Sequence, residues 1–219
     1  MRIKNAAVLD ALARGELLNL EFGGGRTKRP GFFNVDCVDL DEVDIVANLN
    51  VPFESLPDNC VASIYSNHVF EHVQNFVSLM EEIYRIAAPS AVIETVVPHF
   101  SNAYFYSDPT HNRAFGLYSM CYFVERAQQP FVRKVPCYYS NARFLLDCIN
   151  IEFFPGRGLS RRAKPWLEAF FNKTPLRQDL YERQASKFLR AQQLRYVMRP
   201  AKSLGDIPTQ ADTVRTVTY

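Results

Sequence analysis

The sequence predicts an α/β fold in which helices cover both faces of a mostly parallel β-sheet. Short apolar segments alternate along the chain with segments of helical periodicity, the pattern typical of parallel sheets. The chain has 219 residues, of which 47% are hydrophobic, enough for a full core in one domain. Glycines and polar residues follow the apolar segments, where an open parallel sheet binds its ligands.

The first half of the chain carries its predicted elements in close succession. Residues 3–13 have the apolar spacing of a helix that ends near Gly15. A second helix is predicted over Asn75–Ala88, where apolar residues recur every three or four positions, and Pro89 ends it. Five segments are predicted strands: Leu17–Phe22, Phe32–Val38, Val43–Leu49, Val61–Ser66 and Val92–Val97.

The second half of the chain has a less regular pattern. Helices are predicted within Phe115–Ala127 and at Ser140–Asp147, Arg162–Phe171 and Leu180–Leu189. Strands at Ile151–Phe154 and Gln193–Met198 are expected to complete the sheet. Residues 1–200 are therefore expected to form a single domain, followed by a loosely held tail at residues 201–219.

Apolar runs and cysteine count exclude several classes of protein. The chain lacks the run of about 18 apolar residues that a transmembrane helix needs, and no segment resembles a signal peptide. Its five cysteines are an odd number without a CxxC pair, which argues against a disulfide framework or a zinc knuckle. We therefore expect a cytoplasmic protein with reduced thiols.

The charge is distributed unevenly, although the whole chain has a net charge of only +2. Residues 1–156 carry 12 Lys and Arg against 18 Asp and Glu, whereas residues 157–202 carry 12 against 3. A basic block of this kind is typical of proteins that bind nucleic acid, an anionic membrane surface or a phosphorylated ligand. A solvated helical surface is the alternative explanation.

Four successive strand ends carry residues suited to a nucleoside. Gly23–Gly25 follow the first strand, where glycine lets the backbone approach a ligand closely. Asp36 ends the second strand, and its carboxylate is placed to accept hydrogen bonds from both ribose hydroxyls. The third strand ends at Asn48-Leu49 and the fourth at Ser66–His68. A plain tight turn and a solvated strand end are the alternatives for the glycines and for Asp36.

These segments resemble the small, single-domain class I S-adenosylmethionine (SAM)-dependent methyltransferases. The matching motifs are Leu20–Gly25, Asn34–Asp36, Asp44–Leu49, Ile64–His72, Glu82–Ile86 and Val97–Phe100. Asp108–His111 is similar to the acceptor loop of relatives associated with sugar and cell-surface polymer pathways. The resemblance covers residues 16 to about 200. It implies a Rossmann-like fold, SAM as the cofactor, and an acceptor-side elaboration over about residues 99–192.

The resemblance also implies roles for individual residues. Glu21 and Gly23–Gly25 would shape the amino-acid end of the donor site, and Asp36 would hold the ribose. Asn48 and Leu49 would contact the adenine, while Asn67 and His68 would line the floor between donor and acceptor. The pattern departs from the family where Asn48 replaces the common Asp and where Pro89-Ser90-Ala91 replaces Pro-Gly-Gly.

The connection between the first two strands is unusually short. Residues 25–34 leave too little chain for a crossover helix, which needs a dozen residues or more. A dinucleotide needs the N-terminus of that helix for its phosphates, but SAM has no phosphate. The shortened first crossover therefore favours SAM over a dinucleotide.

The four histidines follow strand ends or lie in adjoining loops. We predict that His111, supported by Asp108, removes the acceptor proton, with His99 as the reserve candidate. His68 and His72 are four residues apart and would share a face of a helix, which raises the question of a metal site. Because Glu71-His72 occurs widely in this family without metal, the sequence analysis predicts none.

The predicted activity is O-methylation of a saccharide, a sugar nucleotide or another small polar acceptor. RNA methylation is an alternative, suggested by Tyr181, Phe188 and Tyr196 within the basic block, but no separate nucleic-acid-binding domain is visible. A catalytically silent partner subunit and a metallohydrolase are two further alternatives. Whether the acceptor carries phosphate, and whether the chain forms a homo-oligomer, stays open at this stage.

Overall fold

A computed structural model describes residues 1–154 and 159–202 of the chain, and the side chains of residues 159–161 are not included. Within these ranges the strands are β1 (Arg2–Ile3), β2 (Leu18–Phe22), β3 (Phe33–Asp36), β4 (Ile45–Val46), β5 (Val61–Asn67), β6 (Ala87–Pro98), β7 (Phe144–Phe153) and β8 (Ala191–Pro200). The α-helices are α1 (Ala6–Ala13), α2 (Phe76–Ile86), α3 (Leu159–Phe171) and α4 (Pro175–Arg183). Short 3₁₀ turns span Phe70–His72, Ala103–Ser107, Met120–Phe123, Arg126–Gln128 and Ala185–Lys187.

The eight strands of the described residues form one sheet in the order β1-β4-β3-β2-β5-β6-β8-β7. The pairings from β4 through β3, β2 and β5 to β6 are all parallel. β8 runs antiparallel to both β6 and β7, and β1 runs antiparallel to β4. This arrangement confirms the predicted α/β class with a mostly parallel sheet.

The chain reverses its direction of travel across the sheet at β2. From β2 it proceeds to β3 and β4 on one side and then returns to β5 on the other. Residues 23–32 connect β2 to β3 without a helix, which confirms the shortened first crossover. The neighbouring ends of β2 and β5 therefore form a topological switch point, the place where open α/β sheets bind ligands.

The central strands and α2 supply much of the core at this point. Leu18, Leu20 and Phe22 of β2 are completely or almost completely buried and lie on one face of this central strand, whereas Asn19 and Glu21 on the other face are partly exposed. α2 buries the apolar side of its surface, with Met80 and Ile83 fully inaccessible. This helix is amphipathic, as its apolar periodicity predicts.

The helix predicted at Ser140–Asp147 is wrong, because these residues lead into strand β7. Phe144–Phe153 pair antiparallel with β8, and Ile149, Ile151 and Phe153 alternate inward with a period of two. The leading residues Leu145 and Leu146 carry no clear period of their own. Pairing with a strand some 50 residues further along the chain decides the structure of this segment.

The helix predicted within Phe115–Ala127 is also wrong, since only two short 3₁₀ turns form there. Side chains of later residues form hydrogen bonds with the backbone N–H and C=O groups that would otherwise pair within a helix. The Leu117 N–H donates to Glu182, and Gln129 donates to the carbonyl oxygens of Cys121 and Val124. These hydrogen bonds satisfy a buried but irregular backbone.

Several other elements differ from prediction in their bounds, and one strand was not predicted at all. The helix expected at Leu180–Leu189 begins earlier, at Pro175, where Thr174 caps it and proline occupies the first turn. The strand expected at Val43–Leu49 shrinks to Ile45–Val46, and β1 was too short for its pattern to be visible.

No helix of the described residues is long and apolar enough to cross a bilayer. The predicted tail lies outside the described residues from residue 203 onward.

Candidate functional site

A cavity of about 310 Å³ opens at the switch point, and we call it the switch-point cavity. It is lined by Gly23, Val35, Asp36, Cys37, Asn48, Leu49, Asn50, His68, Val69, His72 and Val73. Five of the predicted donor-site residues are in this set, namely Gly23, Asp36, Asn48, Leu49 and His68. The structure brings them together because each follows a parallel strand and these strand ends share one edge of the sheet.

Gly23 occupies a position that tolerates no side chain. Its φ angle is +70°, and a Cβ atom built there would lie 2.4 Å from Cγ2 of Val69. Because Val69 also lines the cavity, any side chain at Gly23 would displace the cavity wall. The first glycine is therefore required by both backbone conformation and space.

Asp36 holds the glycine turn and faces the cavity. Its Oδ2 accepts a hydrogen bond of 3.1 Å from the Gly25 N–H, and its Oδ1 accepts one of 2.9 Å from the Val38 N–H. An ionised carboxylate has about four lone-pair sites, so about two stay available for a ligand. The side chain can therefore fix the turn and accept hydrogen bonds from ligand hydroxyls together.

Asn34 is a positioning residue that the sequence analysis missed. It is fully buried, its Oδ1 accepts from the Gly24 N–H at 3.1 Å, and its Nδ2 donates to the Gly25 carbonyl at 3.0 Å. A polar residue inside a short apolar strand, two positions before Asp36, was the available signal. Asn34 thus fixes the conformation of the glycine turn through hydrogen bonds to its main chain.

Asp44 supports Asn34 in turn. It accepts a hydrogen bond of 2.7 Å from the Asn34 N–H, another from Asn5, and pairs with Lys28 at 2.7 Å. Burial raises the pKa of Asp44, but the hydrogen bonds from Lys28, Asn5 and Asn34 outweigh burial and hold its pKa below the usual range. The loop is therefore anchored by an ionised carboxylate.

The other predicted donor-site residues lie around the turn rather than on the cavity wall. Oε2 of Glu21 accepts a hydrogen bond of 2.6 Å from the Arg29 N–H, so it shapes the loop. A Cβ at Gly24 would lie 2.6 Å from Oδ1 of Asn34, whereas one at Gly25 would meet nothing within 4 Å. Asn67 is exposed at the end of β5.

His68 lies at the end of β5 in an uncommon backbone conformation, with a φ angle of +56°. Its Nε2 is 2.9 Å from Oε1 of Gln193, and its Nδ1 is 3.3 Å from Oε1 of Glu71. The Glu71 carboxylate raises the pKa of His68, with help from Gln193 and against the effect of burial. His68 is therefore held in place on the cavity wall.

The predicted catalytic pair, Asp108 and His111, lies next to the cavity on the loop after β6. Nδ1 of His111 is 2.8 Å from the Phe105 carbonyl oxygen, and its Nε2 is 3.7 Å from Oδ2 of Asp108. The His111 ring is 4.8 Å from the ring of His72, which lines the cavity. Hydrogen bonds from Thr110 lower the pKa of Asp108.

His99, the reserve candidate for the base, does not lie beside the switch-point cavity. The side chain is completely buried, with Nδ1 hydrogen-bonded within the Ser101 turn and Nε2 3.3 Å from Oε1 of Glu182. Its ring packs against Phe100 and Tyr181. Neither His99 nor His111 lines the switch-point cavity, but the ring of His111 lies 4.8 Å from the ring of His72 on the cavity wall, whereas His99 is buried away from it.

Comparison with known proteins agrees with this architecture. No protein-family model and no curated protein matches the sequence. Among solved structures, a SAM-dependent methyltransferase from Archaeoglobus fulgidus superposes with a TM-score of 0.51 at 16% identity, over 89% of this chain and 91% of that chain. The chain has the fold of a SAM-dependent methyltransferase. A SAM-dependent methyltransferase from Mesorhizobium loti gives a TM-score of 0.40 at 12% identity, over 84% of this chain and 90% of that chain.

Several cations of the basic block that the structure describes are paired with carboxylates. Arg195 of β8 pairs with Glu94 and Glu152, and Arg199 pairs with Asp147. These cations lie on the sheet and compensate carboxylates on neighbouring strands. Lys173 lies just before α4, Lys187 and Arg190 follow it, and all three are exposed, so this part of the block retains cations for a ligand. Arg157 lies outside the described residues.

Proposed function

We propose that the chain is a SAM-dependent methyltransferase that transfers a methyl group to a hydroxyl of a saccharide, a sugar nucleotide or a similar small polar acceptor. The observation that carries the proposal is the switch-point cavity, which joins Gly23, Asp36, Asn48, Leu49 and His68. Bound SAM supplies a methyl group already activated on a sulfonium. The protein's task is then mainly to position donor and acceptor.

Three residues of the cavity have a defined task in this proposal. Asp36 accepts hydrogen bonds from the ribose hydroxyls through the lone pairs that the glycine turn leaves available. Oδ1 of Asn48 accepts from the backbone and side chain of Asn50, which leaves the Asn48 amide N–H groups to donate to adenine. Gly23 keeps the wall at Val69 in place for the amino-acid end.

We expect Asp36→Ala to weaken SAM binding by roughly 10- to 150-fold, because charge-assisted hydrogen bonds contribute about 1.5 to 3 kcal/mol. The melting temperature without ligand should fall modestly, because the Gly25 and Val38 N–H groups lose their acceptor, but the protein should stay folded. Isothermal titration calorimetry of both proteins measures the affinity. Asp39→Ala is the matched control, since it removes the same charge from an exposed residue that pairs with Arg2 and Lys4. Unchanged affinity together with a collapse in stability would make Asp36 a purely structural residue.

Exposed aromatic side chains favour a saccharide as the acceptor. Tyr104 and Tyr106 are 72% and 74% exposed on the turn that directly precedes Asp108 and His111. Tyrosine offers an apolar ring face together with a polar hydroxyl, which suits the mixed surface of a sugar ring. The two tyrosines and the polar Asp108–His111 segment follow one another in the loop after β6 and together offer groups that match this class of acceptor.

A transfer assay with tritium-labelled SAM tests the acceptor class. The full chain is incubated with a panel of sugar nucleotides, with oligosaccharides and with bulk RNA. We expect label in the saccharide fractions, reduced when Tyr104 and Tyr106 are both changed to Ala. Preferential labelling of RNA would overturn the saccharide proposal. SAM binding without transfer to any acceptor would favour a silent partner subunit instead.

For an anionic acceptor, we expect added salt to raise KM several-fold while the affinity for SAM barely changes. The exposed cations Lys173, Lys187 and Arg190 would attract such an acceptor through interactions that salt screens, whereas the cavity contacts of SAM are short-range. The measurement is KM for a phosphorylated saccharide between about 50 and 200 mM salt, with its neutral counterpart as control. Equal salt sensitivity of KM for both acceptors would mean that these three cations do not bind the acceptor and are only solvated surface residues.

A further inference from the structure

Three side chains capable of binding a metal ion meet beside the switch-point cavity. Glu71, His72 and His111 each offer a ligand atom, and these atoms all lie within 4.8 Å of one another. Glu71 and His72 belong to the 3₁₀ turn after β5, whereas His111 comes from the loop after β6. Since His72 also lines the cavity, the cluster adjoins the proposed donor site.

Glu71 is the most informative member of the cluster. It is fully buried, and among the described residues neither of its carboxylate oxygens has a hydrogen-bond partner. Nδ1 of His68 approaches Oε1 to 3.3 Å. Buried carboxylates in proteins are normally hydrogen-bonded, paired or bound to a metal ion. His68 pairs with Oε1, so it is Oε2 of Glu71 that has capacity for a ligand that the protein groups around it do not use.

Both histidines are held with their Nε2 lone pairs available. Nδ1 of His111 contacts the Phe105 carbonyl oxygen, which only accepts, so the proton lies on Nδ1. The Thr110 hydroxyl donates to Oδ1 of Asp108 at 2.6 Å, so it must accept from Nδ1 of His72 at 2.9 Å. A metal-bound histidine typically donates one ring N–H to a neighbouring acceptor and offers the lone pair of the other nitrogen to the ion, which is the arrangement seen here.

Backbone contacts hold the two loops together. The Asn112 N–H donates to the Glu71 carbonyl at 2.7 Å, and its Nδ2 donates to the His72 carbonyl at 2.6 Å. Arg113 donates to the Val73 carbonyl at 3.0 Å. The ligand set is therefore fixed by hydrogen bonds to the main chain, independently of any ion.

We propose that Glu71, His72 and His111 bind a divalent first-row transition metal of the zinc class. Two imidazoles and one carboxylate suit such ions, whereas Mg²⁺ and Ca²⁺ prefer oxygen ligands alone. Zn–N bonds of about 2.0 to 2.1 Å require ligand atoms about 3.4 Å apart in a tetrahedral site. The side chains therefore need to close by at most about 1.4 Å.

Three protein ligands leave coordination positions for a ligand from outside the chain. This part of the inference rests on the proposed function: the open position would hold an acceptor hydroxyl oxygen next to the donor. An ion lowers the pKa of a bound hydroxyl, so the proton leaves to solvent before the methyl carbon–sulfur bond breaks and the carbon–oxygen bond forms. His111 then acts as a metal ligand rather than as the base.

The test uses the full chain after treatment with a chelator. Calorimetry with Zn²⁺ and visible absorption with Co²⁺ should both show one ion per chain, and Mg²⁺ should not compete. His72→Ala and His111→Ala should each weaken binding at least about tenfold. Cys37→Ser is the control for adventitious thiol binding, because Cys37 is an exposed thiol on the cavity wall. This control should bind as the wild type does.

Glu71→Gln separates a metal ligand from a structural carboxylate. Glu71→Gln keeps the size of the side chain but removes the charge that pairs with His68, so the metal-free protein should stay folded with at most a lower melting temperature, while the rise in melting temperature on adding Zn²⁺ disappears. Binding of less than one ion per chain, loss of binding in Cys37→Ser, or wild-type affinity in both histidine variants would overturn the metal site. Binding of S-adenosylhomocysteine to metal-free protein is measured separately, so failure of the metal site and failure of the proposed function are distinguishable.

Discussion

Gly23→Val is expected to abolish SAM binding, with a loss of affinity of at least about 100-fold, or about 2.7 kcal/mol. Even a Cβ atom at this position lies 2.4 Å from Cγ2 of Val69, and valine adds two further methyl groups. The φ angle of +70° also disfavours a β-branched residue. The wall of the cavity must therefore shift. Calorimetric titration with SAM measures the effect.

Gly15→Val is the matched control for backbone strain. Gly15 has nearly the same φ angle of +69°, yet a Cβ there meets nothing within 4 Å, and the residue lies at the other end of β2. We expect this variant to lose stability but to retain the SAM affinity of the wild type. If Gly23→Val folds and binds SAM with unchanged affinity, the switch-point cavity is not the SAM-binding site.

His111→Ala is expected to lower kcat at least about 100-fold while SAM affinity stays unchanged. Its ring lies 4.8 Å from the ring of His72 on the cavity wall, and the loss of either a general base or a metal ligand at the acceptor would slow transfer by this amount or more. Steady-state kinetics at saturating substrates gives kcat, and calorimetry gives the donor affinity.

His111→Asn tests whether the residue acts only through the shape of its loop. The asparagine amide can still donate to the Phe105 carbonyl, as Nδ1 of His111 does, but it offers nothing in place of Nε2. We expect His111→Asn to be as slow as His111→Ala. Recovery of the wild-type kcat in His111→Asn would assign His111 to loop positioning alone.

Sequence patterns predicted the part of the site that depends on strand ends. Gly23, Asp36 and Asn48 lie far apart in the chain, but each follows a parallel strand, and the sheet necessarily gathers such residues at one edge. The same reasoning placed the shortened crossover correctly, because residues 23–32 offer too few positions for a helix.

Sequence patterns could not predict features that depend on long-range contacts. Strand β7 exists because β8 pairs with it, and Leu145 and Leu146 alone do not distinguish strand from helix. The approach of His111 to His72 depends on Asn112 donating to main-chain carbonyls some 40 residues earlier. No local periodicity contains that information.

Titration of the chelator-treated full chain with S-adenosylhomocysteine, SAM and NAD tests the central claim most directly. The account predicts one site per chain for the first two ligands and no binding of NAD, because residues 23–32 form no helix whose N-terminus could hold its phosphates. Absence of binding by S-adenosylhomocysteine and SAM, or binding of NAD at the same site, would contradict it.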